Sequence, residues 1–199
     1  MEICYEYASR NNLDIVLFDA FCFENSDKRT PILPNSYDRH EIVKERNVVY
    51  SGIDFMEKYY MKIYQPSACL VYCSLKFLKE NNIVFLPRVY FEDNEFHCRI
   101  MTLADRIMYI PRMIYQRRCR DDSITMVSFN QRKIQDYLIV INAITELKTL
   151  NAGKGWSIVR KINRNLLINL MYICYKNHLY SKNKSFFIQI IKAWIKMLK

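Results

Sequence analysis

The sequence predicts an α/β fold, a mixed sheet flanked by helices and followed by a C-terminal helical appendage. Three observations carry this expectation. Apolar runs rich in β-forming residues occur at 13–23 (LDIVLFDAFCF), 83–91 (IVFLPRVYF) and 107–118 (IMYIPRMIYQRR). Between them lie segments whose apolar residues recur at helical spacing. From Asn130 onward the helical spacing is sustained, with Ile134, Leu138, Ile141 and Ile144 forming one stripe and Ile158, Ile162, Leu166, Leu170 and Cys174 another. The boundary is placed at 128, giving a first part of 1–128 and a basic helical region of 129–199.

Taken in order, residues 1–10 set Ile3, Tyr7 and Ala8 on one helical face, and Asn11-Asn12 turns the chain into the first apolar run. Glu24 to Asn35 has the Pro, Asn and Ser of a surface loop, and irregular chain is expected as far as Tyr50. Ser51 precedes GIDFMEKYYMKIY with an acid in the first turn, which predicts a capped helix over 53–63. The stretch SACLVYCSLKFLKENN reads as a short strand or helix leading to a helical turn that ends at Asn81-Asn82. The run 83–91 is strand-like but interrupted by Pro87. EDNEFHCRIMTLADR places Phe96, Ile100, Leu103 and Ala104 at helical spacing. Asn151 to Gly155 separates the two long helices, and 184–199 is apolar except for a line of Gln189, Lys192, Lys196 and Lys199. No internal repeat is visible.

The chain has 199 residues, 51% of them hydrophobic and 25% charged, with 3 Gly and 5 Pro, which excludes collagen-like, low-complexity and disordered classes. Its 7 Cys are odd in number and lack a CxxC pair, so neither a disulfide framework nor a zinc site is indicated, and a reducing compartment is expected. Cys69 and Cys73 would share a helix face, where packing as small hydrophobes is the simpler reading. Residues 1–21 lack the order of a signal peptide, and charges interrupt every apolar run short of a membrane span. A cytoplasmic location follows, with peripheral attachment at the inner face of the membrane as an option.

Charge is unevenly distributed. The net +10 comes from 30 Lys and Arg against 20 Asp and Glu, yet residues 1–150 hold 20 of each sign and residues 151–199 hold 10 basic side chains and no acid. A basic tail after a neutral body suggests an anionic surface as partner. Residues 184–199, with Phe186, Phe187, Ile190, Ile191, Trp194 and Ile195 opposite the Lys line, fit a helix lying in an anionic bilayer interface. Nucleic acid is the lesser reading, since no RNP-like or Gly-rich basic motif is present.

The segment from Tyr90 to Thr125 carries the most chemistry. Glu92 and Asp93 fall at a strand-to-helix junction, where the backbone N–H groups of a helix N-terminus favour the ionised form, so one of them can serve as a general base. The competing reading is that Asp93 or Asn94 is a helix cap. Arg117, Arg118 and Arg120, followed by Ser123, offer the paired N–H groups that bind phosphate oxygens. The competing reading there is a solvated edge strand.

Five segments in one order, NNLDIVLFD, SGIDFMEKYY, CSLKFLKENNIVF, YFEDNEFHCRIM and ADRIMYIPRMIYQRRCRDDSIT, make residues 1 to about 126 resemble the family 2 glycosyltransferases of bacterial polysaccharide and capsule clusters, which have the GT-A fold. The resemblance implies transfer of a sugar from a nucleotide-sugar donor to a hydroxyl of a glycan or lipid-linked acceptor. Asp93 then matches the base of inverting members, Glu92 is a neighbour shaping its surroundings, and Arg117, Arg118, Arg120 and Ser123 are candidates for substrate contacts. Residues Tyr64 to Tyr72 would line the acceptor side. The family's apolar first strand, its nucleotide-binding loop and its metal-holding Asp-x-Asp have no counterpart here. The chain therefore reads as the acceptor-side half, without a cofactor of its own and inactive alone, whereas the complete enzyme would use Mg²⁺ or Mn²⁺. A truncation, an internal start or a split-gene product would each give such a chain. A non-catalytic membrane-surface or scaffold protein using the basic helices is the alternative.

Overall fold

The first apolar run forms β1 (Ile15–Glu24), the strand on which the sheet is built. Ile15, Val16, Leu17 and Phe18 are all buried, so both faces of this strand are covered, which explains an unbroken apolar run in place of alternation. The structure, a computed structural model, describes residues 1–24, 37–63, 66–119, 129–150, 153–177 and 184–198. The described residues fall into two compact units. One comprises Met1–Asn82 with Ala104–Val127, and the other Ile83–Leu103 with Ser128–Lys199.

In the first unit α1 (Glu2–Asn11) ends at Asn12, whose left-handed φ of 48° reverses the chain into β1, as the Asn pair predicted. Strands β2 (Val49–Tyr50), β3 (Val71–Cys73) and β4 (Ile107–Cys119) complete a sheet of order β2-β4-β1-β3. β4 runs parallel to β1 with Ile15 opposite Ile107, while β3 is antiparallel to β1 and β2 antiparallel to β4. The mixed sheet is thus present, and β2 adds a short strand where irregular chain was expected. Cys4 of α1, with Ile3, Tyr7 and Ala8, packs on Leu13, Val16, Phe18, Met108 and Ile110.

Helix α2 (Gly52–Ile63) begins after Ser51, whose Oγ accepts from the Asp54 N–H at 3.1 Å and donates to Asp54 Oδ2 at 2.7 Å, the reciprocal cap its sequence predicts. Residues Ala68–Leu70 make a short 3₁₀ turn before β3, and α3 (Leu75–Glu80) is capped by Ser74. Cys69 and Cys73 are therefore in a turn and a strand and share no helix face, because the chain is extended by Val71.

The second unit is helical: α4 (Glu92–Leu103), α5 (Gln131–Glu146), α6 (Lys154–Lys176) and α7 (Lys184–Leu198). Both predicted stripes are buried. Asn163 of α6, fully buried, donates to Ile141 O at 3.1 Å and Thr145 Oγ1 at 2.7 Å, which fixes α6 on α5. α7 packs on both through Ile190 and Ala193.

The run 83–91 is not a strand, although its composition predicts one. Pro87 has no N–H to give a ladder, and Arg88 (φ 59°) and Phe91 (φ 68°) stand in the left-handed region, which breaks any extended run. Its apolar residues are used against helices instead: Phe85 stacks on Phe96 of α4 with centroids 4.0 Å apart.

Candidate functional site

Helix α4 begins directly after Phe91, so the junction bearing Glu92 and Asp93 leads from irregular chain and not from a strand. Several contacts define where this N-terminus lies. The Phe91 ring packs on Tyr137 (4.9 Å) and Phe129 (5.9 Å), and the Tyr90 N–H donates to Asp136 Oδ2 at 3.1 Å. The Arg132 guanidinium and the Lys133 ammonium lie over the Tyr90 ring at 5.5 and 5.7 Å. Asn94 donates both its backbone N–H (3.0 Å) and its side-chain amide (3.1 Å) to Phe91 O, closing the first turn. The start of α4 is therefore held by α5 through an aromatic cluster and a carboxylate acceptor.

Glu92, Asp93 and Glu95 occupy that first turn. Asp93 is the second residue of the helix and half-buried, as is Glu92. Asp93 and Asn94 are thus the second and third residues of the helix. Glu95 is fully buried: its Oε1 accepts from Arg99 Nε at 2.7 Å and Nη2 at 2.5 Å, while Oε2 has no hydrogen-bond partner. The three carboxylates fall on one helical turn, where the helix dipole favours negative charge, with Arg99 against Glu95 and with Arg132 and Lys133 over the neighbouring Tyr90 ring. A half-buried carboxylate there, unlike Glu95, can accept a proton from a bound hydroxyl.

The arginines occupy the other unit, on the last part of β4. Arg117 is half-buried with its guanidinium 4.9 Å from the Tyr37 ring centroid, and Arg118 is exposed. As successive strand residues they point to opposite faces, so they cannot grip one phosphate together unless the strand bends. Arg120 and Ser123 lie outside the described residues, as does Tyr64. Tyr72 packs against the core cluster beneath α1. Among the described residues there is no group of three His, Cys, Asp or Glu placed to hold a metal ion.

Two polar features escape a reading of the sequence. Asp19, inside the first apolar run, is buried with Arg39 and Tyr109: Arg39 Nε donates to Oδ1 at 2.9 Å and Tyr109 Oη to Oδ2 at 2.5 Å, while Arg39 Nη2 donates to Phe18 O. An acid in a run of β-formers was the only available signal. The second is the Glu95–Arg99 pair, visible only as an i,i+4 spacing.

No family model matches the chain, and no curated protein sequence matches it. Solved structures do. The crystal structure of S. aureus TarS 1-349 in complex with UDP-GlcNAc matches with a TM-score of 0.61 at 15% identity, over 96% of this chain and 50% of that one. TarS 1-349 in complex with UDP matches at 0.57 and 14% identity, over 96% and 51%. TarS 1-349 alone matches at 0.55 and 15%, over 98% and 50%. The chain thus spans about half the length of the structures it matches. What the likeness establishes is the fold, a mixed four-stranded sheet with flanking helices and a helical C-terminal part, which is a partial GT-A-like fold.

Proposed function

We propose that this chain serves as the acceptor-side part of a family 2-like glycosyltransferase acting in the synthesis of a polysaccharide or cell-surface glycan. The observation that carries the reading is the fold match over 96% of the chain to half of a protein crystallised with UDP-GlcNAc. The carboxylate pair at the α4 N-terminus adds to it. In this reading an acceptor hydroxyl lies against Asp93, which takes its proton as the oxygen attacks the anomeric carbon of the donor. The new carbon–oxygen bond forms on one face while the bond from that carbon to the donor phosphate oxygen breaks on the other. The sugar is inverted, the nucleoside diphosphate leaves with the bonding electrons, and the proton rests on Asp93 until solvent removes it.

Glu92 keeps the local field negative and favours the proton transfer, and Arg117 and Arg118, with Arg120 and Ser123 beyond them, are assigned to phosphate or acceptor oxygens. Positioning supplies much of the rate in such a displacement, and this chain contributes the acceptor's share of it. Alone it is not a competent transferase.

The test is release of nucleoside diphosphate from a panel of nucleotide sugars in the presence of Mg²⁺ or Mn²⁺. The chain is assayed by itself and then with a polypeptide carrying a nucleotide-sugar-binding half supplied in trans. Release only in the combined preparation supports the reading. No release from any donor with both polypeptides folded overturns it.

A further inference from the structure

The outward side of α7 is apolar. Ile190 and Ala193 are buried and face the helices on which α7 packs, and at 100° per residue the opposite side presents Ile188, Ile191 and Ile195 with Lys192. Those three isoleucines are 53%, 43% and 48% exposed. A surface helix ordinarily turns polar residues to water, so a continuous outward line of isoleucine marks a surface that something covers. The sequence placed Ile190 on the same face as Ile191 and Ile195, but packing on α5 and α6 takes Ile190 to the protein side. Side chains of Phe186 and Phe187 lie outside the described residues.

The neighbouring helix has a related pattern. The exposed line of α6 begins with Arg160, Lys161 and Arg164 and continues with Ile168, Tyr172 and Tyr175, basic over its first half and apolar or aromatic over its second. Charge selects the occupant. Residues 151–199 contain 10 Lys and Arg and no Asp or Glu, so both outward lines are flanked by cations alone. A second copy of the chain would set like charge against like charge, whereas an anionic bilayer neutralises it. Isoleucine at the boundary of headgroup and acyl chain, tyrosine at headgroup level and lysine or arginine reaching outward match the layers of such a surface. Among the described residues no helix is long and apolar enough to cross a membrane, so contact is with the surface.

We propose that the outward faces of α6 and α7 dock on an anionic phospholipid bilayer, with Ile188, Ile191 and Ile195 inserted and Lys192 beside them on the headgroups. This stands apart from the sugar-transfer reading, since no step of it uses Asp93.

Sedimentation of the full chain with vesicles tests it. Binding is expected to vesicles of equimolar phosphatidylglycerol and phosphatidylcholine, not to phosphatidylcholine alone, and should weaken as salt rises. Ile191→Glu and, separately, Ile188→Glu should each lower the partition coefficient by about tenfold or more, while Ile191→Leu leaves it unchanged. Both altered sites are exposed, so the helical circular dichroism and the melting temperature should match the unaltered chain. Equal partition of Ile191→Glu and the unaltered chain overturns the proposal, and so does equal binding to neutral vesicles. Self-association that Ile191→Glu abolishes, without vesicle binding, also overturns it and makes the face an interface between copies.

Discussion

The hydroxyl of Tyr109 on β4 donates to Oδ2 of Asp19 on β1 at 2.5 Å, although 90 residues separate them in the chain. The other carboxylate oxygen accepts from Arg39 at 2.9 Å, and the guanidinium also lies 5.6 Å from the Tyr109 ring centroid. Both carboxylate oxygens and two of the guanidinium nitrogens thus have partners, the condition under which a buried ion pair is tolerated.

Removing one member should show this directly. Tyr109→Phe leaves Asp19 Oδ2 buried without its donor and should cost about 1–3 kcal/mol. Asp19→Ala strands a buried guanidinium and should cost about 3–5 kcal/mol. Urea titrations read both as shifts in midpoint. If Asp19→Ala proves the milder change, the network is not what holds these residues inside.

The same pair gives a pH dependence. Burial, and after it the hydrogen bond to Asp19, pushes the Tyr109 phenol well above its ordinary value. With the folded value above the unfolded one, the stability this group contributes is complete below the unfolded tyrosine's titration at about 10 and is lost as pH rises past it. Unfolding free energy should therefore fall more steeply above about pH 10 in the unaltered chain than in Tyr109→Phe. Parallel slopes would mean the phenol titrates freely.

For the transfer reaction, Asp93→Asn keeps the side-chain shape and removes the basicity. In the combined preparation turnover should drop by roughly 10²-fold or more with donor affinity nearly unchanged. Glu92→Gln should do less. Losing one acid from the first turn of α4 costs only about 0.3–1 kcal/mol of helix stability, so both variants should fold. A larger loss from Glu92→Gln would transfer the role of base to Glu92.

Titration of the 199-residue chain alone with a uridine diphosphate sugar and Mg²⁺ should give no saturable heat. The described residues hold no group of three metal-ligating side chains, and Arg117 and Arg118 point to opposite faces of β4, so the diphosphate charge has too few partners. Micromolar binding would contradict the assignment of this chain to the acceptor side.

Thiol reactivity checks the packing. Burial raises Cys4, Cys98 and Cys174 and pushes Cys73 up to about 12, while Cys69 is exposed. Iodoacetamide at pH about 8 should label Cys69 ahead of Cys4, Cys73 and Cys174 and leave Cys98 protected in the native chain, read by peptide mass spectrometry. Equal labelling of Cys98 would mean that α4 is not buried as described.

Local pattern alone determined much of this molecule. The stripes of α5 and α6, the Ser51 cap of α2, the Asn12 turn and the helical setting of Glu92 and Asp93 each depend on residues within a few positions of one another, and periodicity reports such relationships faithfully. Tertiary structure decided the rest. Residues 83–91 have the composition of a strand, but the Tyr90 N–H finds Asp136, 46 residues away, and the aromatic rings of the segment pack on α4 and α5, which outweighs a weak β propensity. Arg39, in a stretch expected to be irregular, is buried because Asp19 lies 20 residues earlier on a strand closed over on both faces. The amphipathic character of α7 was legible, yet which of its apolar residues faces protein and which faces outward was set by where α5 and α6 stand. A sequence records spacing along the chain, whereas burial is a relation between distant segments that only the folded chain brings into contact.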